Sequence, residues 1–229
     1  MKRIAVFLMT NEVAGREDVC QRTIEAFHRY IDVRQPLQDV FRWFVSAHGS
    51  EEYIKNIYSQ IEVLGYEDTV IVSGDEAPGK RWNRTLEAIW GAGHDIYFRL
   101  ENDFELKADL DITEYIEVLN DNPSVGMVRL GLMPINLDLH SVAYNGAIYF
   151  ECRKSTPYSY SGNPGLIHRR LHEAVGGFSD TMNPGQIEVD FDHRYRACHH
   201  DIKILWPLVH GALGTYGPFS HIGEVQSYG

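Results

Sequence analysis

No stretch of this sequence approaches eighteen consecutive apolar residues, so nothing in it reads as a membrane-spanning helix. Cysteine is scarce. Cys20, Cys152 and Cys198 are odd in number, widely spaced and without a C-x-x-C pair. That argues against a disulfide framework or a zinc knuckle and leaves three ordinary buried thiols as the expectation. Basic residues are also few and scattered, 21 Lys and Arg against 32 Asp and Glu, for a formal net charge of -11. Such a chain repels phosphate backbones, and stable binding to nucleic acid or anionic lipid is not expected. The first apolar run, Ile4 to Met9, is too short for a signal-peptide core and lacks a small-residue cleavage site, so it reads as the first strand of a cytoplasmic protein.

What is present suits a globular protein: 229 residues, 44% hydrophobic and 23% charged, enough for one sizeable core. The first half alternates short apolar strands with amphipathic helices, the pattern of an α/β domain with a mainly parallel sheet. Arg3 to Thr10 reads as a buried strand, and Val19, Ile24, Phe27 and Ile31 mark a helix over about 17–31. Phe41 to His48 is a second strand, after which Ser50 is placed to cap a helix running to about Leu64. A third strand covers Asp68 to Gly74. Beyond Pro78-Gly79, a helix marked by Trp82, Leu86, Ile89 and Trp90 stops at the Gly91/Gly93 pair, and a fourth strand spans His94 to Phe104.

Ligands of open α/β sheets collect outside the carboxyl ends of the strands, which is where Glu101-Asn102-Asp103 falls. Two carboxylates at i and i+2 around one turn can both face a divalent ion. With 32 acids in 229 residues the spacing arises about four times by chance, so its place at a strand end, not its composition, carries the reading. The plain alternative is a solvated strand end carrying surface acids.

The order of elements and these motifs resemble family 2-type glycosyltransferases of the GT-A nucleotide-diphospho-sugar transferase fold, in which a fourth strand ends in D-x-D or a related acidic motif. The likeness covers most of the chain. GKRWNRTLEAIWGAGHDIYFRLENDF resembles the family's glycine, asparagine, helix and acidic-strand segment, and PSVGMVRLG resembles the strand that follows. NPGLIHRRLHEAVGGFSD is the most specific match. IEVDFDHRYRACHHDIKILWP is similar to the family's E-D-x-D helix and the next strand.

The resemblance implies a mixed, mainly parallel sheet flanked by helices, one GT-A domain over 1–229, and a metal-dependent, inverting transfer of a sugar from a nucleotide-sugar, UDP-linked by expectation, to an acceptor hydroxyl. Residues 1–104 would bind the donor, 105–206 the acceptor and catalytic groups, and 207–229 would form a glycine-rich lid. Glu101 and Asp103 would hold Mn²⁺ or Mg²⁺, with His221 completing the metal shell or donating to a phosphate oxygen. Glu188 is the expected catalytic base, with Asp190 in reserve. The plain alternative for both is capping the first turn of their helix. Donor contacts are expected from Thr10, Asn11, Glu12, Gly79, Lys80, Asn83 and Asn102. Tyr158, Tyr160 and Asn163 would meet the acceptor, the two tyrosines being expected at the surface beside serines and a glycine.

Two departures from the family pattern stand out. Ala47-His48 replaces the acidic pair that touches the nucleobase, and Ile187-Glu188 replaces the usual E-D. The first of these leaves open a degenerate GT-A domain that binds sugar or nucleotide, or serves as a structural module. A nucleotidylyltransferase would need a glycine-rich basic loop after the first strand, whereas TNEVAGRED has a lone glycine and net acidity. Homo-oligomerisation is left open by the sequence.

Overall fold

A computed structural model describes residues 3–14, 17–33, 35–131, 139–155, 157–209 and 217–223. The first half runs through β1 (Ile4–Asn11), α1 (Glu17–Tyr30), β2 (Ile31–Asp32), α2 (Leu37–Val40), β3 (Phe41–His48), α3 (Glu51–Glu62), β4 (Val70–Ser73), α4 (Pro78–Gly91) and β5 (Ile96–Glu101). The second continues with β6 (Phe104–Leu106), β7 (Leu110–Asp111), α5 (Thr113–Asp121), β8 (Val125–Arg129), β9 (Leu139–Tyr144), β10 (Ala147–Cys152), β11 (Gly165–His168), α6 (Arg169–Val175), α7 (Pro184–Ala197), β12 (Lys203–Pro207) and β13 (Phe219–His221).

Nine strands form one sheet in the order β4-β3-β1-β5-β11-β8-β12-β10-β9. β4, β3, β1 and β5 are parallel, and β11 enters antiparallel between β5 and β8. β12 runs parallel to β8, while β10 is antiparallel to both β12 and β9. Only β11 and β10 therefore oppose the other seven strands, and the sheet is mainly parallel, as expected.

The apolar run of β1 is continuous because both faces of the sheet are covered by helices. On one face Phe27 of α1 meets Phe41, Trp43 and Phe98 edge to face, with centroids 5.4, 5.5 and 5.0 Å away. On the other, Phe7 and Tyr97 pack with Trp82 of α4 and Phe191 of α7 in a second cluster. Each such ring contributes roughly 1.5–3 kcal/mol by leaving water.

Local signals set the helix boundaries. Ser50 caps α3 by accepting from the Tyr53 amide at 3.2 Å. α4 begins four residues ahead of Trp82, at Pro78, and ends on Gly91, with Gly93 at φ +83° in the left-handed region just beyond. α7 starts with Pro184 behind a reciprocal capping box between Asn183 and Gln186. Glu188 and Asp190 lie more than a turn inside this helix, so neither caps it.

The fourth strand is shorter than the pattern implied, because Asn102 and Asp103 form a turn that separates β5 from β6. The tail expected as a lid contributes one strand to the described structure. β13 pairs antiparallel with β6, with Phe219 opposite Leu106 and His221 opposite Phe104. The rest of that segment, 210–216 and 224–229, lies outside the described residues. Among the described residues, no helix is long and apolar enough to cross a membrane.

Candidate active site

The carboxyl end of β5 delivers Glu101 and then the tight turn that aims Asp103 inward, where it is 5% exposed. β13 lies beside this turn, and the Ile222 amide donates to the Asp103 carbonyl at 2.8 Å. This brings the His221 Nε2 to 3.1 Å from Asp103 Oδ2, across 118 residues of chain. A carboxylate and an imidazole on one edge are donor types that could hold a divalent cation.

The third expected ligand is turned elsewhere. Glu101 Oε1 accepts from Arg99 Nη2 at 2.9 Å, with its side chain 15% exposed. Burial pushes the Glu101 carboxyl above the usual carboxylate range; Arg99 opposes that rise, and nearby Glu188 and Asp103 add to it. Among the described residues no three His, Cys, Asp or Glu side chains are arranged to hold a metal.

Arg99 is the residue that sequence reasoning missed. It sits in the middle of the apolar strand β5, fully buried, and its Nη2 also lies 3.5 Å from Glu188 Oε1. Its Nη1 donates to the Tyr160 hydroxyl. The signal was present as a lone charge between Phe98 and Leu100, since arginine is almost never fully buried unpaired. Arg129 in β8 repeats the pattern, fully buried and donating to the carbonyl of Tyr158 at 2.8 Å.

α7 presents its acids on different faces. Glu188 points at Arg99 and at Gly162, where an added Cβ would come within 1.7 Å of Glu188 Oε1. One turn later Asp192, 3% exposed, accepts from the amides of Tyr158 at 3.0 Å and Tyr160 at 2.9 Å. Asp190, two residues from Glu188, pairs instead with Arg194 at 2.8 Å.

That anchoring corrects the expectation for Tyr160. The residue is 1% exposed, packed 4.3 Å from the Phe191 ring centroid, and holds Arg99 rather than facing solvent. Tyr158 is 57% exposed at φ +61°. Asn163 is half-buried, its amide donating to Ser161 Oγ at 3.2 Å.

At the carboxyl ends of β1, β3 and β4 an open cleft of about 390 Å³ is lined by Asn11, Glu12, His48, Asp75 and Arg81 among others. Arg81, also unforeseen, braces it from below by donating to Ser46 Oγ, the Gly74 and Glu76 carbonyls and Asn11 Oδ1. Glu12 accepts from the Ser50 amide at 2.5 Å and from Ser50 Oγ at 3.0 Å, closing the cleft wall against α3.

Three residues expected to meet the donor make contacts within the protein. Thr10 is 3% exposed, its hydroxyl bonded to that of Tyr53. Gly79 is buried, and a Cβ there would meet the Ser179 carbonyl at 1.8 Å, so its smallness serves helix–loop packing. Asn83 donates to the Phe178 carbonyl at 2.9 Å and accepts from the Phe178 amide at 2.8 Å, tying α4 to the same loop. Lys80 is exposed on the first turn of α4. Asn102 stays in the turn, its amide donating to the Met9 carbonyl at 3.1 Å.

Solved structures share this architecture. A mannosyltransferase from Pyrobaculum calidifontis in complex with GDP-Man and Mn²⁺ matches 84% of this chain and 50% of its own at 15% identity and a TM-score of 0.55. TarS 1–349 from S. aureus in complex with UDP matches 90% and 60% at 12% identity and a TM-score of 0.58. GalNAc-T7 with UDP, GalNAc and Mn²⁺ matches 90% and 42% at 9% identity and a TM-score of 0.60. The fold is GT-A. At such identities the likeness establishes the fold alone, and this chain spans about half the length of these neighbours. No protein-family model matches the sequence, and no curated protein matches it. The GT-A frame puts the β5 turn, with Asp103, at the carboxyl edge of the parallel strands, beside the cleft under β1, β3 and β4.

Proposed function

We propose that this chain is a glycosyltransferase, family 2-like, that moves a sugar from a nucleoside-diphosphate sugar, UDP-linked by expectation, to an acceptor hydroxyl. One observation carries the reading: Glu188 and Glu101, from α7 and the end of β5, meet on the single buried guanidinium of Arg99, next to the Asp103–His221 pair. Neighbours of this fold crystallised with UDP or GDP-Man and with Mn²⁺ support the donor class.

In this reading residues 1–104 bind the donor, with Asn11, Glu12, Lys80 and Asn102 around the cleft, and 105–206 supply the acceptor side, with Tyr158 at its rim. Asp103 and His221 would hold a divalent cation, which neutralises the charge of the leaving diphosphate when bound. Glu188 takes the proton of the acceptor hydroxyl as that oxygen attacks the anomeric carbon. The carbon–oxygen bond to the diphosphate breaks from the opposite face, the electron pair leaving with the nucleoside diphosphate, and the configuration inverts. Arg99 keeps the Glu188 carboxylate turned into the site.

The test is a panel of UDP- and GDP-sugars incubated with the protein and Mn²⁺ or Mg²⁺, read as free nucleoside diphosphate, with a chelator control. Metal-dependent release from at least one donor is expected. No release from any donor, together with calorimetric binding of a nucleotide-sugar, would convert the reading to a binding module; no binding at all would leave a structural one.

A further inference from the structure

An arginine with no solvent contact, in the centre of a sheet, needs a reason to be there, because a buried charge is retained only when paired. Arg99 is caged by rings: its guanidinium carbon lies 5.5 Å from the Trp82 centroid, 5.8 Å from Phe178 and 5.9 Å from Tyr160. Its Nε is buried without a hydrogen-bond partner among the described residues, so Nη1 and Nη2 carry its polar contacts, to Tyr160, Glu101 and Glu188. The cage fixes the guanidinium plane, and the two carboxylates are set by it. Gly162 completes the arrangement, since a Cβ there would lie 2.4 Å from Arg99 Nη2 as well as against Glu188.

We propose that Arg99 is a positioning residue for catalysis, a rigid fork that holds Glu188 at the angle from which it accepts the acceptor proton and that ties it to Glu101 beside the Asp103 turn. The inference rests on the glycosyltransferase reading and deepens it. Arginine is suited to the task and lysine is not, because only a planar fork can reach Tyr160 with one arm and two carboxylates with the other. Arg99 touches neither donor nor acceptor in this scheme. It acts through Glu188.

The experiment is a double-mutant cycle on nucleotide-sugar turnover with Mn²⁺, followed with a radiolabelled donor: parent, Arg99→Lys, Glu188→Gln and the double variant. Arg99→Lys is expected to lower kcat about 10- to 100-fold with donor KM within about threefold of the parent. In the Glu188→Gln background the same change should cost less than about threefold, since the carboxylate it positions is already gone. Additive losses in the two backgrounds, or a loss that falls on KM, would assign Arg99 a purely structural role and overturn the inference while leaving the function intact. Should Arg99→Lys fail to fold by circular dichroism, Tyr160→Phe replaces it in the cycle. That variant removes only the hydroxyl on Nη1, keeps the ring on Phe191, and is expected to lower kcat about 3- to 10-fold with the same non-additivity. A parent protein that turns over no nucleotide-sugar would overturn the glycosyltransferase reading itself, and the inference with it, and that result is recognisable before any variant is made.

Discussion

Gly162→Ala is the sharpest perturbation available, because the structure says which atom must move and how far. An alanine Cβ at that position would lie 1.7 Å from Glu188 Oε1, whereas ordinary contact begins near 3.4 Å, so the carboxylate must retreat by 3.4 − 1.7 = 1.7 Å. Arg99 Nη2, at 2.4 Å, must also give, but it is caged and has little room. Glu188 has room, with its side chain 34% exposed. Both obstacles are side-chain ends, not backbone, so the fold should survive with an overpacking cost of about 1–3 kcal/mol. Displacing a catalytic group by an ångström or more costs about 10²-fold in turnover, so kcat should fall by about that factor while nucleoside-diphosphate and Mn²⁺ affinity stays near the parent's. Steady-state kinetics beside calorimetric titration reads both quantities. A Gly162→Ala enzyme as fast as the parent would show that the Glu188 carboxylate does not take part in the chemistry from this position.

Asp103→Asn keeps the shape of the β5 turn but removes the carboxylate charge, and should weaken Mn²⁺-dependent UDP binding by about 100-fold by calorimetry; His221→Ala should weaken it by about tenfold with an unchanged melting temperature. Parent-like binding in both would remove the metal from this edge. Glu188→Gln should lower turnover by roughly 10²–10⁴-fold with donor binding unchanged, whereas Asp190→Asn, on another face of α7, should turn over like the parent; the reverse result would move the base to Asp190. His172 reports on acid stability. Burial holds its imidazole down to about 3 from the usual 6.5, between the Tyr97 hydroxyl at 2.7 Å and the Gly176 carbonyl. The unfolded chain therefore takes this proton below about pH 6.5 and the folded one only near 3, so the stability it confers is complete above 6.5 and lost as pH falls. By pH 5 the loss is about 2 kcal/mol, and His172→Gln should show that much less acid destabilisation in urea titrations between pH 7 and 5. Equal pH slopes would refute it.

Much of the first half was legible because each unit of strand and helix states its own burial. β1 opens on an unbroken apolar run from Ile4 to Met9, β3 is mostly apolar between Phe41 and Ala47, α1 and α3 carry a stripe, and Ser50 and Gly93 punctuate as their chemistry requires. Long-range pairing was not legible. Nothing local in Gly165–His168 says that this strand inserts antiparallel between β5 and β8, and the three residues of β13 are too few to show a period. The same limit applies to the site. Tyr160 was expected at the surface from its serine and glycine neighbours, but a carboxylate 32 residues away draws its amide inward. Gly79 and Asn83 looked like ligand-binding residues because small and amide side chains serve phosphates and tight packing alike, and only the position of the Ser179 and Phe178 backbone distinguishes the two. Arg99 and Arg129 left a signal that went unused, a charge in the middle of an apolar strand.

The segment Glu188-Val189-Asp190-Phe191-Asp192 shows why a row of acids should be read with helical phase before roles are assigned. Successive residues of a helix are about 100° apart, so Glu188 and Asp190 point away from each other and Glu188 and Asp192 share a face. The structure uses each direction. Asp190 is spent on Arg194 within the helix, with its side chain 27% exposed. Asp192, buried, gives both oxygens to the loop that carries Tyr160 and Gly162. Glu188 then meets that loop and Arg99 from the same side, so the residue that positions the loop and the residue that would use it are one turn apart. In the glycosyltransferase reading, the acid proposed as base, Glu188, is the one whose phase faces the loop that Asp192 holds, whereas Asp190, opposite Asp192, faces away from it.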